Sequence, residues 1–262
     1  MESVTSITQA AGVSSSLGNL RKFPNTEYVK KIVQSFNTWA FKREQPSDLG
    51  LLTRFATRAV MRQEPLSFVL YWGKGPRSEI ESYDLQCLDY LNSLAERVRS
   101  AYGKGAAISL VLTDTHANLN GHPAQQISAY FAQIEREADK RGFDCYLLGE
   151  LTEAAGRGVR IEDGQPSDET LQQLVRSAMR WYRGEGTAED GARRYYSLSM
   201  KEKRVIELFF PSSIFVTFNG REHRDLFPGN LPIFYMYSLK RGTSVKPWFL
   251  PEPAVAERPL AS

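Results

Sequence analysis

Residues 67–77, Ser-Phe-Val-Leu-Tyr-Trp-Gly-Lys-Gly-Pro-Arg, end a strand-like apolar run in a lysine set between two glycines. Gly73 and Gly75 let a backbone come close to a ligand, and Lys74 with Arg77 can hold a phosphate or a carboxylate. A second strand-like run, Ala107 to Thr113, stops at Asp114-Thr115-His116. Asp114 can bind a substrate ammonium or act as a base there; alternatively it caps the following turn through backbone N–H groups. His116 can move protons or stand as an ordinary loop histidine. Open α/β sheets build ligand sites by delivering polar side chains at strand ends. The pattern therefore points to a small-molecule site for something anionic.

Other chemistries find less support. The glycine-flanked lysine is not a Walker motif, since the spacing differs and no Ser or Thr follows it. No GxGxxG follows a strand, so nicotinamide and flavin are not supported and no cofactor is expected. No GxSxG supplies a serine nucleophile. His116, His122 and His223 are the only histidines, no HExxH occurs, and Asp114-Thr115-His116 reverses the order of an iron facial triad; no metal is expected. Cys87 and Cys145 form no CxxC and read as small hydrophobes rather than a disulfide framework or a catalytic thiol. Near the carboxyl end, Asn219 closes a strand-like run, and Lys246-Pro247-Trp248 offers a second anion contact beside an indole that packs in the core or covers a pocket.

The formal charge of +3, from 33 basic and 30 acidic side chains, is too balanced for a nucleic-acid track. Arg193-Arg194 with Lys201, Lys203 and Arg204 reads as a solvated helix face or a local anion clamp. No apolar run is long enough to span a bilayer. No signal-peptide pattern is visible, so the cytoplasm is the expected compartment. The expected partners are small molecules, with no nucleic acid and no membrane; a homo-oligomer is compatible with the sequence.

The elements that must position these groups follow an alternating pattern. Residues 1–20 read as a mobile arm. Tyr28, Ile32, Phe36 and Trp39 have helical spacing, with Asn25 or Thr26 as cap. Leu51 to Met61 is a second short helix. Then come strand Phe68 to Trp72, helix 79–102, strand Ala107 to Thr113, helix Pro123 to Lys140 and strand Asp144 to Leu148, which imply a parallel sheet with crossovers. Residues 152–168 read as a loop, either a lid or a surface insertion, after which Asp168 caps a helix to about Tyr182. Ser199 to Phe209 is helical. Ile214 to Phe218 and Ile233 to Leu239 read as an antiparallel hairpin, and the tail 251–262 as loose.

In order along the chain, these features resemble the isonitrile (isocyanide) synthase family, also called the pyoverdine/dityrosine biosynthesis family. The similarity is distant and runs from about Pro65 to Trp248. Phe68 to Arg77 resembles that family's strand and lysine-bearing loop. Leu85 to Tyr102 with Gly105-Ala106 resembles its helix and aromatic–glycine turn. Thr113-Asp114, Gly121 and Tyr130 resemble its Ser-Asp loop, later glycine and helix tyrosine. Arg204 to Phe218, with Phe210-Pro211, resembles its helix, aromatic–proline turn and strand, and Lys246-Pro247-Trp248 its closing Pro-Trp. Thr115 stands where the family has glycine, Phe215 and Asn219 lie near its arginine and histidine, and Phe249 replaces a histidine.

The resemblance implies an enzyme of specialised metabolism that builds an isonitrile, or a related N-modified product, on an amino acid such as tyrosine or tryptophan. Ribulose 5-phosphate would supply the carbon. Lys74 and Arg77 would hold the sugar phosphate, and Asp114 would orient the amino group or take its proton. Lys74, Asp114 and His116 are then the candidate catalytic residues. Trp72, Arg77, Thr113, Tyr130, Asn219, Lys246 and Trp248 are the candidate substrate contacts. The competing reading is a catalytically silent ligand-binding or partner protein on the same fold. The expected architecture is one α/β domain over 21–250, Rossmann-like and mostly parallel, with the added hairpin and a helical N-terminal segment.

Overall fold

The computed structural model describes residues 25–73, 76, 79–156 and 165–237. Lys74, Arg77, Lys246, Trp248, the arm 1–20, the tail 251–262 and the middle of the 152–168 segment lie outside the described residues.

The elements in chain order are α1 (Thr26–Phe36), α2 (Leu49–Arg62), β1 (Leu66–Trp72), α3 (Ser82–Ala101), β2 (Ala106–Leu112), α4 (Asp114–Leu119), α5 (Ala124–Asp139), β3 (Asp144–Leu147), α6 (Leu148–Ala155), α7 (Asp168–Trp181), α8 (Ala188–Phe209), β4 (Ile214–Thr217), the 3-10 helix Arg221–Leu226 and β5 (Ile233–Tyr235). The five strands form one sheet in the order β3-β2-β1-β4-β5, and every pair is parallel. The fold is α/β and Rossmann-like.

Strand periodicity divides β1 between two cores. Leu66, Phe68, Leu70 and Trp72 face the layer of α1, α3 and α5, where Ile32, Phe36, Leu88, Leu91, Ile127 and Ile134 complete a buried cluster. Val69 and Tyr71 face the opposite layer, packed with Leu148 of α6, Leu174 of α7 and Val205 and Ile206 of α8. Helices on both faces explain why the strands are apolar on both sides.

Helix ends follow local chemistry. Asn25 caps α1 by accepting from the Glu27 N–H at 2.9 Å. Val29 and Val33 join Ile32 and Phe36 inside, whereas Tyr28 and Trp39 are exposed. At α7 the cap is Ser167, whose hydroxyl accepts from the Thr170 N–H, and Asp168 sits in the first turn. α8 starts eleven positions before the expected Ser199, at a capping box made by Thr187 and Asp190. The expected loop after residue 152 instead begins within α6.

The expected C-terminal hairpin is corrected. β4 and β5 are parallel neighbours, and residues 218–232 carry the chain back through the 3-10 helix. A hairpin is closed by 2–5 residues, far fewer than this connection. The antiparallel neighbour of β5 comes from the N-terminal side. Arg43 N–H donates to Tyr235 O, Tyr237 N–H to Phe41 O and Ser47 N–H to Ile233 O, which covers the sheet edge.

The chain leaves β3 on one side and re-enters at β4 on the other side of β1, so the strand order reverses between β1 and β4. That crevice, at the carboxyl ends of the strands, is where such sheets bind ligands.

Candidate active site

β1 and β2 end level, with Trp72 opposite Leu112. The next residue, Thr113, is buried and donates its hydroxyl to the Trp72 carbonyl at 3.1 Å. This locks the two strand ends together and starts α4 at Asp114.

Asp114 is half-buried, and its Oδ1 accepts from the backbone N–H of Gly149 at 2.9 Å. A Cβ on residue 149 would lie 2.5 Å from Asp114 Oδ2, so glycine is what lets the carboxylate close on the first turn of α6. Asp114 therefore caps the helix after β3 rather than its own turn, a contact favoured by the positive end of the helix dipole. Oδ2 has no hydrogen-bond partner among the described residues.

Two residues on, His116 meets Glu202 of α8. Its Nε2 bonds Glu202 Oε2, and Thr115 Oγ1 donates to Oε1 at 2.5 Å. Glu202 is fully buried, while 12% of the His116 side chain is exposed. A buried carboxylate needs partners on both oxygens, and α4 supplies them. Thr115, standing where glycine was the family expectation, is one of the two.

Two tyrosines complete the cluster. The His116 ring lies 4.8 Å from that of Tyr195 and 6.3 Å from that of Tyr71, centroid to centroid. Burial, then the Glu202 charge, raises the Tyr71 phenol well above its ordinary range. The same two causes push Tyr195 up to about 12. Both are held as O–H groups at neutral pH. The Tyr71 hydroxyl is buried and has no hydrogen-bond partner among the described residues. With a carboxylate-oriented imidazole and one phenol from β1 and one from α8 beside it, the cluster has the parts for proton transfer.

The other sequence candidates are spread more widely. Trp72 points to the opposite face of the sheet, where its Nε1 donates to Tyr130 Oη at 3.2 Å. Tyr130 in turn donates to Asp84 Oδ1 at 3.1 Å. Trp72, Tyr130 and Asp84 are each 1% exposed or less, so this trio is part of the core beneath the strand end. Asn219 is exposed beyond β4, with its N–H on Thr217 Oγ1. Gly121 has φ +80°, and a Cβ there would meet the Arg183 carbonyl at 2.9 Å, which ties the end of α4 to the segment after α7. Arg221 pairs with Glu44 and Arg43 with Glu222.

Sequence reasoning missed Glu202, Tyr71 and Tyr195. For Glu202 and Tyr195 the signal was periodic: Ala192, Tyr195, Ser199, Glu202 and Ile206 recur every three or four residues on one stripe of α8. A carboxylate on an apolar stripe asks for a partner.

Among the described residues no group of three or more His, Cys, Asp or Glu side chains is arranged to hold a metal. No described helix is long and apolar enough to cross a membrane. Two open surface depressions, at the start of α8 and along α5, are lined mainly by charged side chains and by none of the residues of this cluster. Burial pushes the Cys145 thiol up to about 12, helped by Glu135, Asp144 and Asp139, and Cys87 is buried. In native protein at mildly alkaline pH, iodoacetamide should therefore alkylate Cys145 at least ~10²-fold more slowly than a free thiol. Mass-spectrometric labelling rates check this, and unfolding should restore ordinary reactivity.

No protein-family model matches this chain, and no curated protein does. Solved structures resemble it to different degrees. The PvcA protein from Pseudomonas aeruginosa is 15% identical, with a TM-score of 0.57 over 80% of this chain and 83% of that one. Tyrosyl-tRNA synthetase complexed with L-tyrosine from Archaeoglobus fulgidus is 13% identical, with a TM-score of 0.45 over 80% of this chain and 63% of that one. The enzyme of the same name from Pyrococcus horikoshii, also complexed with L-tyrosine, is 12% identical, with a TM-score of 0.40 over 76% and 52%. At these identities the likeness to PvcA is one of fold.

Proposed function

We propose that the protein is a biosynthetic enzyme, distantly related to the isonitrile synthases, that joins the amino group of an amino acid to the ketone of ribulose 5-phosphate and forms an isonitrile or a related N-modified product. The observation that carries this reading is the buried His116–Glu202–Thr115 cluster at the carboxyl ends of the central strands. The order of strand-end motifs along the sequence and the fold shared with PvcA over most of both chains support the relation. Lys74 and Arg77 hold the sugar phosphate, and Oδ2 of Asp114 meets the amino group.

A silent binding protein on the same fold is the second reading. It is favoured by Phe215, which is buried in the core near the family's arginine position, and by Asn219 near its histidine. Incubating purified protein with each common amino acid and ribulose 5-phosphate separates the two. An enzyme consumes both compounds together. Binding without consumption of either supports the silent protein.

A further inference from the structure

Two groups beside Glu202 are equipped for chemistry and lack a partner. One is Nδ1 of His116, which makes no hydrogen bond among the described residues while Nε2 is engaged by the carboxylate. The other is the buried hydroxyl of Tyr71. A buried phenol normally finds a partner, and a neutral imidazole held by a carboxylate through one nitrogen presents the other as an acceptor. Thr115 holds the second oxygen of Glu202 and so fixes the carboxylate against rotation.

We propose that His116 is the proton acceptor of this site, with Glu202 and Thr115 as its positioning residues, and that the Tyr71 hydroxyl binds the carbonyl oxygen of the substrate. This rests on the condensation proposed above and assigns its first step. The lone pair of the neutral amine forms the C–N bond, and the carbonyl π pair moves to oxygen. His116 Nδ1 takes the proton that nitrogen gives up and returns it to the new alkoxide. The carbinolamine contains all the atoms of both reactants. Tyr71 keeps its proton and donates a hydrogen bond to oxygen as charge develops there, the role of an oxyanion donor.

Nitrogen chemical shifts of isotope-labelled histidine test the orientation without any substrate, and His116→Gln identifies the resonances. In the full chain, recorded where the ring is neutral, His116 should be a single tautomer with its proton on Nε2. Glu202→Gln offers an amide that can accept or donate, so the two tautomers should mix, with a thermal melt confirming that the variant is folded. A wild-type proton on Nδ1, or an unchanged single tautomer in Glu202→Gln, overturns the proposal whatever the substrate. Tyr71→Phe should lower kcat by ~10²-fold with little change in KM; unchanged kcat overturns the role of Tyr71. A chain that passes the tautomer test and consumes no sugar phosphate refutes the reaction and supports the oriented base.

Discussion

Replacing Glu202 with alanine is expected to destabilise the fold by about 2–5 kcal/mol, the cost of leaving two buried groups without their acceptor and of the cavity left behind. Glu202 is fully buried and joins α8 to the start of α4 through both carboxylate oxygens. Alanine would leave the Thr115 hydroxyl and the His116 ring nitrogen without their acceptor, and would open a cavity between the helices. Each lost partner costs more than the bond was worth, because the remaining group stays desolvated. Glu202→Gln keeps the volume and one acceptor and should cost about 1–2 kcal/mol. Urea unfolding measures both, read as midpoint shifts at constant slope. A cost for Glu202→Ala below about 1 kcal/mol would mean that water or rearrangement satisfies the cluster without the carboxylate.

The second large effect concerns turnover. His116→Gln should lower kcat for the proposed condensation by ~10²–10⁴-fold, the range for removing a general base. KM for the sugar phosphate should stay within a few-fold, because Lys74 and Arg77 rather than His116 hold the phosphate in this account. Glutamine can still donate to Glu202 from its amide, so the protein should remain folded. Parallel steady-state kinetics and thermal melts on the variant check this. A variant that loses affinity and keeps kcat would make His116 a binding group instead.

The central strands were legible because they are buried on both faces. Phe68 to Trp72 and Ala107 to Thr113 carry near-continuous apolar runs, which only a covered parallel sheet accommodates, and they pair in parallel along β1 and β2. β4 and β5 were legible as strands but not in their direction. Local periodicity states that a residue pair is buried, not which strand lies beside it, and the antiparallel neighbour of β5 is supplied from residues 41–47, far away in sequence.

Asp114 and His116 were legible as strand-end groups, whereas their partners were not. Gly149 and Glu202 lie 35 and 86 residues further along, and only the packing of α6 and α8 brings them in. Glu202 was also hidden by composition, since Lys201, Lys203 and Arg204 surround it and suggest a solvated face. Trp72 stands at a strand end, where a ligand contact is expected, but period two turns it to the opposite side from Tyr71, into the Tyr130–Asp84 trio.

The proposed chemistry requires a ligand to reach the carboxyl ends of β1 and β2. The most direct measurement is a titration of the full chain, carrying isotope-labelled histidine, with ribulose 5-phosphate, following the ring signals of His116. Saturable movement of those signals, retained in Tyr195→Phe and absent with an unrelated phosphate ester, is the predicted result. Signals that do not move when the protein is saturated with the sugar phosphate, or no binding at any concentration, would contradict it.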